Sequence, residues 1–227
     1  MCFSATASFV AGTTLSGIGV AALRNTQHRN ELPFAMIPLL FGVQQLTEGV
    51  VWLTFGRDVP LLKHVMTYAF ASFAYVVWPM YAPFALAVLE KVQWRKRAIF
   101  AFLGAGIVVA VYLLNNITTG PVVATVVGKH IVYVAQPISW PAVPVLYLAA
   151  TCVSGFFSSH LFVRLFGVLA LVAAIVAYVV HVEALVSVWC FFAAVLSTLI
   201  YCHLRFRNLG GFPLEHSFSG VDDLAPQ

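Results

Sequence analysis

The stretch HLFVRLFGVLALVAAIVAYVVHVEALVSVWCFFAAVLSTLIYCH, residues 160–203, decides the fold. It is apolar almost from end to end, and as one helix rising 1.5 Å per residue it would be roughly 65 Å long, about twice the hydrocarbon thickness of a bilayer. A single crossing cannot hold it. The one polar interruption near its centre is His181 and Glu183, so the chain is expected to turn back there and make two spans, the sixth and seventh in chain order.

Working outward toward the N-terminus gives five more. Thr6 to Leu23 is rich in small residues, among them Ala11, Gly12, Ser16 and Gly19, which let helix backbones approach closely in lipid. Pro33, suited to the first turn of a helix, opens a second span that runs to about Phe55. A third, about Met66 to Leu89, carries Pro79 and Pro83; a kink is expected there, with the freed carbonyls satisfied by neighbouring groups. A fourth covers Ala98 to about Leu114, closed by Asn115 and Asn116, and a fifth runs from about Trp140 to Ser158. Between these last two, Val122 to Val127 and His130 to Val134 are β-branched and aromatic runs around Gly128 and Lys129, a pair suited to a type II′ turn. Residues 117–137 are therefore expected to form a short extramembrane β-hairpin. The expected whole is an all-α membrane protein, a seven-helix bundle over residues 1–204 with a polar tail over 205–227.

Composition points the same way. The 227 residues are 61% hydrophobic and only 9% charged, with a mean hydropathy of +0.93, outside the range of soluble domains. The lipid bilayer is the expected partner. A net charge of +4 raises the question of nucleic acid, but no basic stripe or zinc-finger spacing is present, and topology accounts for the excess. With the N-terminus outside, Arg24, Arg29, Lys91, Arg95, Lys96, Arg97, Arg164, Arg205 and Arg207 lie on the cytoplasmic side, against Arg57, Lys63 and Lys129 outside. That is the positive-inside pattern, and it puts the C-terminus in the cytoplasm and the bundle in the cell (inner) membrane. The four cysteines have no Cys-x-x-Cys spacing, so no disulfide framework is expected.

Glu48 is the most informative single residue, because a carboxylate within a span is costly in lipid and normally faces the bundle interior. Gln44 and Gln45 lie one turn before it and Trp52 one turn after, giving one helix stripe of two amides, a carboxylate and an indole. On the assigned topology Cys2, Glu48, His64, His130, His181 and Glu183 all fall in the outer half or outer loops. Imidazole and carboxylate groups suit a transition metal such as zinc, with Glu48, His130, His181 and Glu183 as candidate ligands. No short-range ligand motif is present, and His181 and Glu183 converge only if they sit in a turn. Glu48 and Cys2 are the candidate catalytic groups, the latter as a thiol beside a free amine if Met1 is removed. The plainer alternatives are an interhelical hydrogen-bond clamp for the Glu48 stripe and interfacial anchoring for Trp52, Tyr133 and Trp140.

The opening Met1-Cys-Phe-Ser-Ala-Thr-Ala-Ser-Phe9, with Phe41-Gly-Val-Gln44-Gln45-Leu-Thr-Glu48-Gly49, resembles an uncharacterised family of bacterial membrane proteins. The resemblance carries no activity with it, and adds weight to Cys2 and Glu48 only. A retinal protein needs a lysine in the middle of a span and is not expected, since Lys63, Lys91, Lys96 and Lys129 are all read as loop residues. The likeness to the membrane zinc hydrolases that include alkaline ceramidases is one of topology alone. Three functions remain: an enzyme with a metal or acid/base centre around Glu48 acting on a lipid or amphipathic substrate, a proton-coupled carrier or channel using Glu48, and a structural or sensory subunit; a bis-histidine haem site is a weaker fourth, since no two histidines match in depth on facing spans.

Overall fold

Ser4 opens the first helix, its Oγ accepting the Ala7 amide proton at 3.2 Å, and α1 runs Ala5–Arg24. In the computed structural model, which describes residues 4–180 and 185–208, a 3-10 turn over Arg29–Glu31 and a short α2 (Leu32–Ala35) lead into α3 (Ile37–Thr54). Pro33 and Pro38 each occupy a first-turn position, where a missing N–H costs nothing. Helices α1 and α3 pack at backbone distance. A Cβ built on Gly12 would lie 2.8 Å from Leu46, and one on Gly19 would lie 2.6 Å from Leu39, so the small residues of α1 do what lipid packing asks of them.

The third span begins earlier than expected, at Pro60, and is helical to Leu89: α4 (Pro60–Ser72), a π-helical turn over Phe73–Val77, and α5 (Trp78–Leu89). The π turn follows from Pro79. Trp78 N–H bonds back to Phe73, five residues earlier, and Pro79 has no N–H to offer, so the Ala74 carbonyl loses its helical partner. The Tyr147 hydroxyl of another helix donates to that carbonyl. Helix α6 (Gln93–Thr119) continues past Asn115 and Asn116, which do not stop it; the Thr118 and Thr119 hydroxyls bond within its last turn, and it ends at Gly120.

Strands β1 (Val123–Val127) and β2 (His130–Val134) pair antiparallel in the expected register, Val127 opposite His130. Gly128 has φ +61° and Lys129 does not have a positive φ, as a type II′ turn requires. The hairpin is packed into the bundle. Ala124, Ile131 and Tyr133 are buried with Val51, Phe70 and Cys190, and the Tyr133 ring stacks on Phe70 at 4.4 Å. Tyr133 is thus a core residue rather than an interfacial anchor.

The expected fifth span breaks. Helix α7 covers only Ala142–Thr151 and gives way at Cys152 to a 3-10 turn over Val153–Phe157. Thr151 and Ser154 donate their hydroxyls to Tyr147 and Ala150 carbonyls four residues back, a competition that weakens a helix end. Two sets of contacts fix where this segment lies. Ser139 bonds Tyr112 and Gln136 accepts from Asn116 near the C-terminal end of α6, whereas Ser158 accepts from Arg95 at its N-terminal end.

Helices α8 (Leu161–Val180) and α9 (Leu185–Leu196) flank residues 181–184, where the sequence calls for a turn, and they pack together: Trp189 donates to the Ala170 carbonyl at 2.9 Å. Helix α10 (Thr198–Asn208) carries helical structure beyond residue 204, so the helical part extends four residues into the expected tail. Among the described residues, six helical stretches are long and apolar enough to cross a membrane: Ala5–Arg24, Arg29–Thr54, Pro60–Leu89, Gln93–Thr119, Leu161–Val180 and Leu185–Phe206.

Candidate functional site

The polar stripe of α3 points inward as charge in a span must. Gln44, Gln45 and Glu48 are each 0% exposed, within a stretch apolar enough to cross a membrane. Two neighbouring helices complete the site. Ser187 of α9, itself fully buried, donates its hydroxyl proton to Glu48 Oε1 at 2.6 Å. Trp78 of α5 donates its indole N–H to Gln44 Oε1 at 2.7 Å, held in place by stacking on Phe41 at 3.8 Å. Cys190, one turn beyond Ser187, lies within interaction range of both Gln44 and Glu48.

On α3 several buried polar atoms have no hydrogen-bond partner among the described residues: both Gln45 amide atoms and Trp52 Nε1. A buried donor left unmade costs about 1–3 kcal/mol, so a group of them clustered on one helix stripe is a place where a polar guest gains. Trp52 itself is half-buried against Phe55 and the cluster that includes Val51 and Phe70.

The other expected site residues are distributed differently. His130 is half-buried on β2; its strand neighbours Ile131 and Tyr133 face the core, so His130 belongs to the opposite face of the hairpin, with Val132. His64 is exposed at the start of α4, its ring 4.5 Å from that of Tyr68. Cys2, His181 and Glu183 lie outside the described residues. Among the described residues no group of three or more His, Cys, Asp or Glu side chains stands close enough to hold a metal ion.

Sequence reasoning missed Ser187, Trp78 and Cys190. A serine and a cysteine pass for small apolar-tolerant residues in a span, and only the depth match to Glu48 across the bundle gives them meaning. It also passed over a second polar cluster, at the opposite end of the bundle. Glu90, 2% exposed, accepts from the amides of Lys91 at 3.0 Å, Val92 at 2.9 Å and Ser159 at 2.7 Å, and from the Ser159 hydroxyl at 3.0 Å. Burial would raise its carboxyl, but those donors and nearby His160 outweigh burial and hold it below the ordinary carboxylate range. His160 in turn packs 5.2 Å from His203, which is buried between Phe34 and Phe162. This cluster ties the α5–α6 link to the segment preceding α8.

A family model described as a family of unknown function (DUF6629) matches residues 1–212. No curated protein and no solved structure matches the chain.

Proposed function

We propose that this chain, which belongs to that family of unknown function, is a membrane-embedded acid/base enzyme whose centre is the Glu48–Ser187 pair, acting by acyl transfer on a lipid or other amphipathic substrate. The observation that carries the proposal is the 2.6 Å hydrogen bond from Ser187 Oγ to Glu48 Oε1 in a fully buried setting. A hydroxyl bonded to a carboxylate out of reach of water is the arrangement of a nucleophile and its base. Ser187 Oγ would add to the acyl carbon as its proton passes to Glu48, and the oxyanion would take the spare N–H groups of Gln45 or Trp52. The protonated Glu48 would then return its proton to the leaving alcohol as the acyl C–O bond breaks, and water would release the acid by the same two steps.

The test is an alkyl fluorophosphonate applied to detergent-purified protein, with the modified residue mapped by mass spectrometry. Labelling of Ser187, abolished in Ser187→Ala and slowed in Glu48→Gln, is the expected result; an unlabelled Ser187 in folded protein removes the acyl-transfer reading. A transition metal such as zinc, held by Glu48, His130, His181 and Glu183, is the metal-dependent form of the same proposal. It predicts stoichiometric metal that is lost in both Glu48→Ala and His181→Ala.

A second reading is favoured by the 0% exposure of Glu48: an enclosed carboxylate also suits a proton-coupled carrier. It predicts proton flux in proteoliposomes that Glu48→Gln abolishes and Ser187→Ala leaves intact, the opposite of what a nucleophile requires.

The proposal includes a seven-crossing arrangement with the N-terminus outside and the C-terminus in the cytoplasm. Its support is the run of α7 and its 3-10 extension from one end of α6 to the other, together with the basic residues gathered at the Glu90 end. In this orientation the Glu48 site lies toward the outer surface and the hairpin closes it from that side.

A further inference from the structure

A pocket adjoins the break in α7, and Trp78 and Cys190 form the wall between it and the Glu48 site. The pocket is lined by residues of α3, α5, α7, α8 and α9. Its deep wall is buried and apolar, formed by Ile37, Phe41, Trp78 and Ala193 with the Cys190 thiol, and its mouth is formed by half-buried Ala82, Thr151 and Phe166. Thr151 and Cys152, where α7 ends and its 3-10 turn begins, both line the pocket. Its α8 wall is Phe166 and Ala170, and the other side of the same helix, at Val168 and Val172, is 45% and 50% exposed in the middle of an apolar span. At that depth the surrounding solvent is acyl chain.

The inner wall borders the polar site. Trp78 lines the pocket and donates its indole N–H to Gln44 Oε1 at 2.7 Å, and Cys190, which also lines it, is one turn from Ser187 on α9. Every other polar group of the lining already has a partner in the protein: Trp189 on Ala170, Tyr147 on Ala74, and Thr151 on Tyr147. The pocket offers water almost nothing, and a dry apolar pocket favours an apolar guest.

We infer that this pocket admits the acyl chain of a bilayer glycerolipid sideways beside the end of α7, and so delivers the acyl ester of that chain to Glu48 and Ser187. The inference rests on the acyl-transfer reading for its consequence, but chain entry itself does not depend on the chemistry. It assigns the substrate class as an acyl-chain lipid drawn from the membrane, and excludes one that enters from water.

Chain entry is read by tryptophan quenching. In a variant with Trp52, Trp94, Trp140 and Trp189 each replaced by phenylalanine, the remaining Trp78 is only 5% exposed and reports from the deep wall. Reconstituted into vesicles of phosphatidylcholine brominated along its acyl chains, this protein loses Trp78 emission relative to unbrominated vesicles. Ala82→Leu at the mouth and Ala193→Leu at the deep wall each restore it. If Ala193→Leu does not fold, Ala82→Leu alone carries the comparison, since its side chain is added at the half-open rim. Emission unaffected by bromine, or quenched equally in open and plugged proteins, overturns the inference. Failure of fluorophosphonate labelling with quenching intact would sink the acyl-transfer reading and leave the lipid pocket standing; labelling without quenching would do the reverse.

Discussion

A hydrogen atom is all that Gly106 can carry. A Cβ there would stand 1.8 Å from the Pro79 carbonyl oxygen, which has no α-helical donor because residue 83 is also proline. Gly106→Ala must push α5 and α6 apart, and is expected to cost at least about 1–3 kcal/mol, seen as a lowered midpoint of thermal unfolding in detergent. Gly104→Ala, two residues away with open space around its Cβ, should unfold as the parent does. Glu90 makes a different kind of single-residue demand. Its folded carboxyl is held below the ordinary range, so its contribution is present above about pH 4.5 and is lost as pH falls through the lower folded value. Glu90→Gln removes a charged acceptor from four donors and should cost a few kcal/mol at neutral pH, and its unfolding midpoint should vary less with pH in the acid range than that of the parent. A parallel pH dependence in the two proteins would show that Glu90 is not the titrating group.

At the scale of elements, the π turn is where sequence and packing meet. The orphaned Ala74 carbonyl is met by Tyr147, so Tyr147→Phe should leave it unpaired and cost about 1–3 kcal/mol. Hydrogen exchange should rise in residues 73–78 first, and protection unchanged there would mean that the hydroxyl is dispensable. The prolines made a disturbance legible: Pro79 and Pro83 pointed to a kink with its carbonyls repaired by neighbours, whereas the π form of the turn and the neighbour that repairs it were hidden. The β-hairpin was legible for a similar reason, since Gly128 and two β-branched runs encode it locally, but its insertion against Phe70 was not. The α7 break was invisible because Trp140 to Ser158 is apolar enough for a full span, and the competition from Thr151 and Ser154 hydroxyls is a matter of a few tenths to one kcal/mol that hydropathy does not register. For the site, Glu48 and its amides stood out by their cost in lipid, whereas Ser187 acquires a role only through a contact 139 residues distant in the chain.

Whole-molecule topology turns on α7, because its ten α-helical residues fall short of a conventional crossing. Ten residues at 1.5 Å and five 3-10 residues at 2.0 Å give roughly 25 Å, close to the hydrocarbon thickness of about 30 Å. The contacts at its two ends say that this length is used in full: Ser139 is anchored near one end of α6, and Ser158 and Ser159 at the other, on Arg95 and Glu90. A segment that only dipped into the bilayer would return residues 158–164 to the hairpin end. Single cysteines separate the two cases. With Cys2, Cys152, Cys190 and Cys202 replaced, Lys129→Cys should react with a membrane-impermeant thiol reagent in intact cells. Lys96→Cys and Arg164→Cys should react only after permeabilisation. Arg164 is the deciding position: it is exposed at the start of α8, and labelling from outside in step with residue 129 would make α7 re-entrant and leave six crossings. Labelling of residue 96 from outside would invert the whole bundle, placing the Glu48 site toward the cytoplasm and nine of the twelve Lys and Arg residues on the face that the positive-inside rule disfavours.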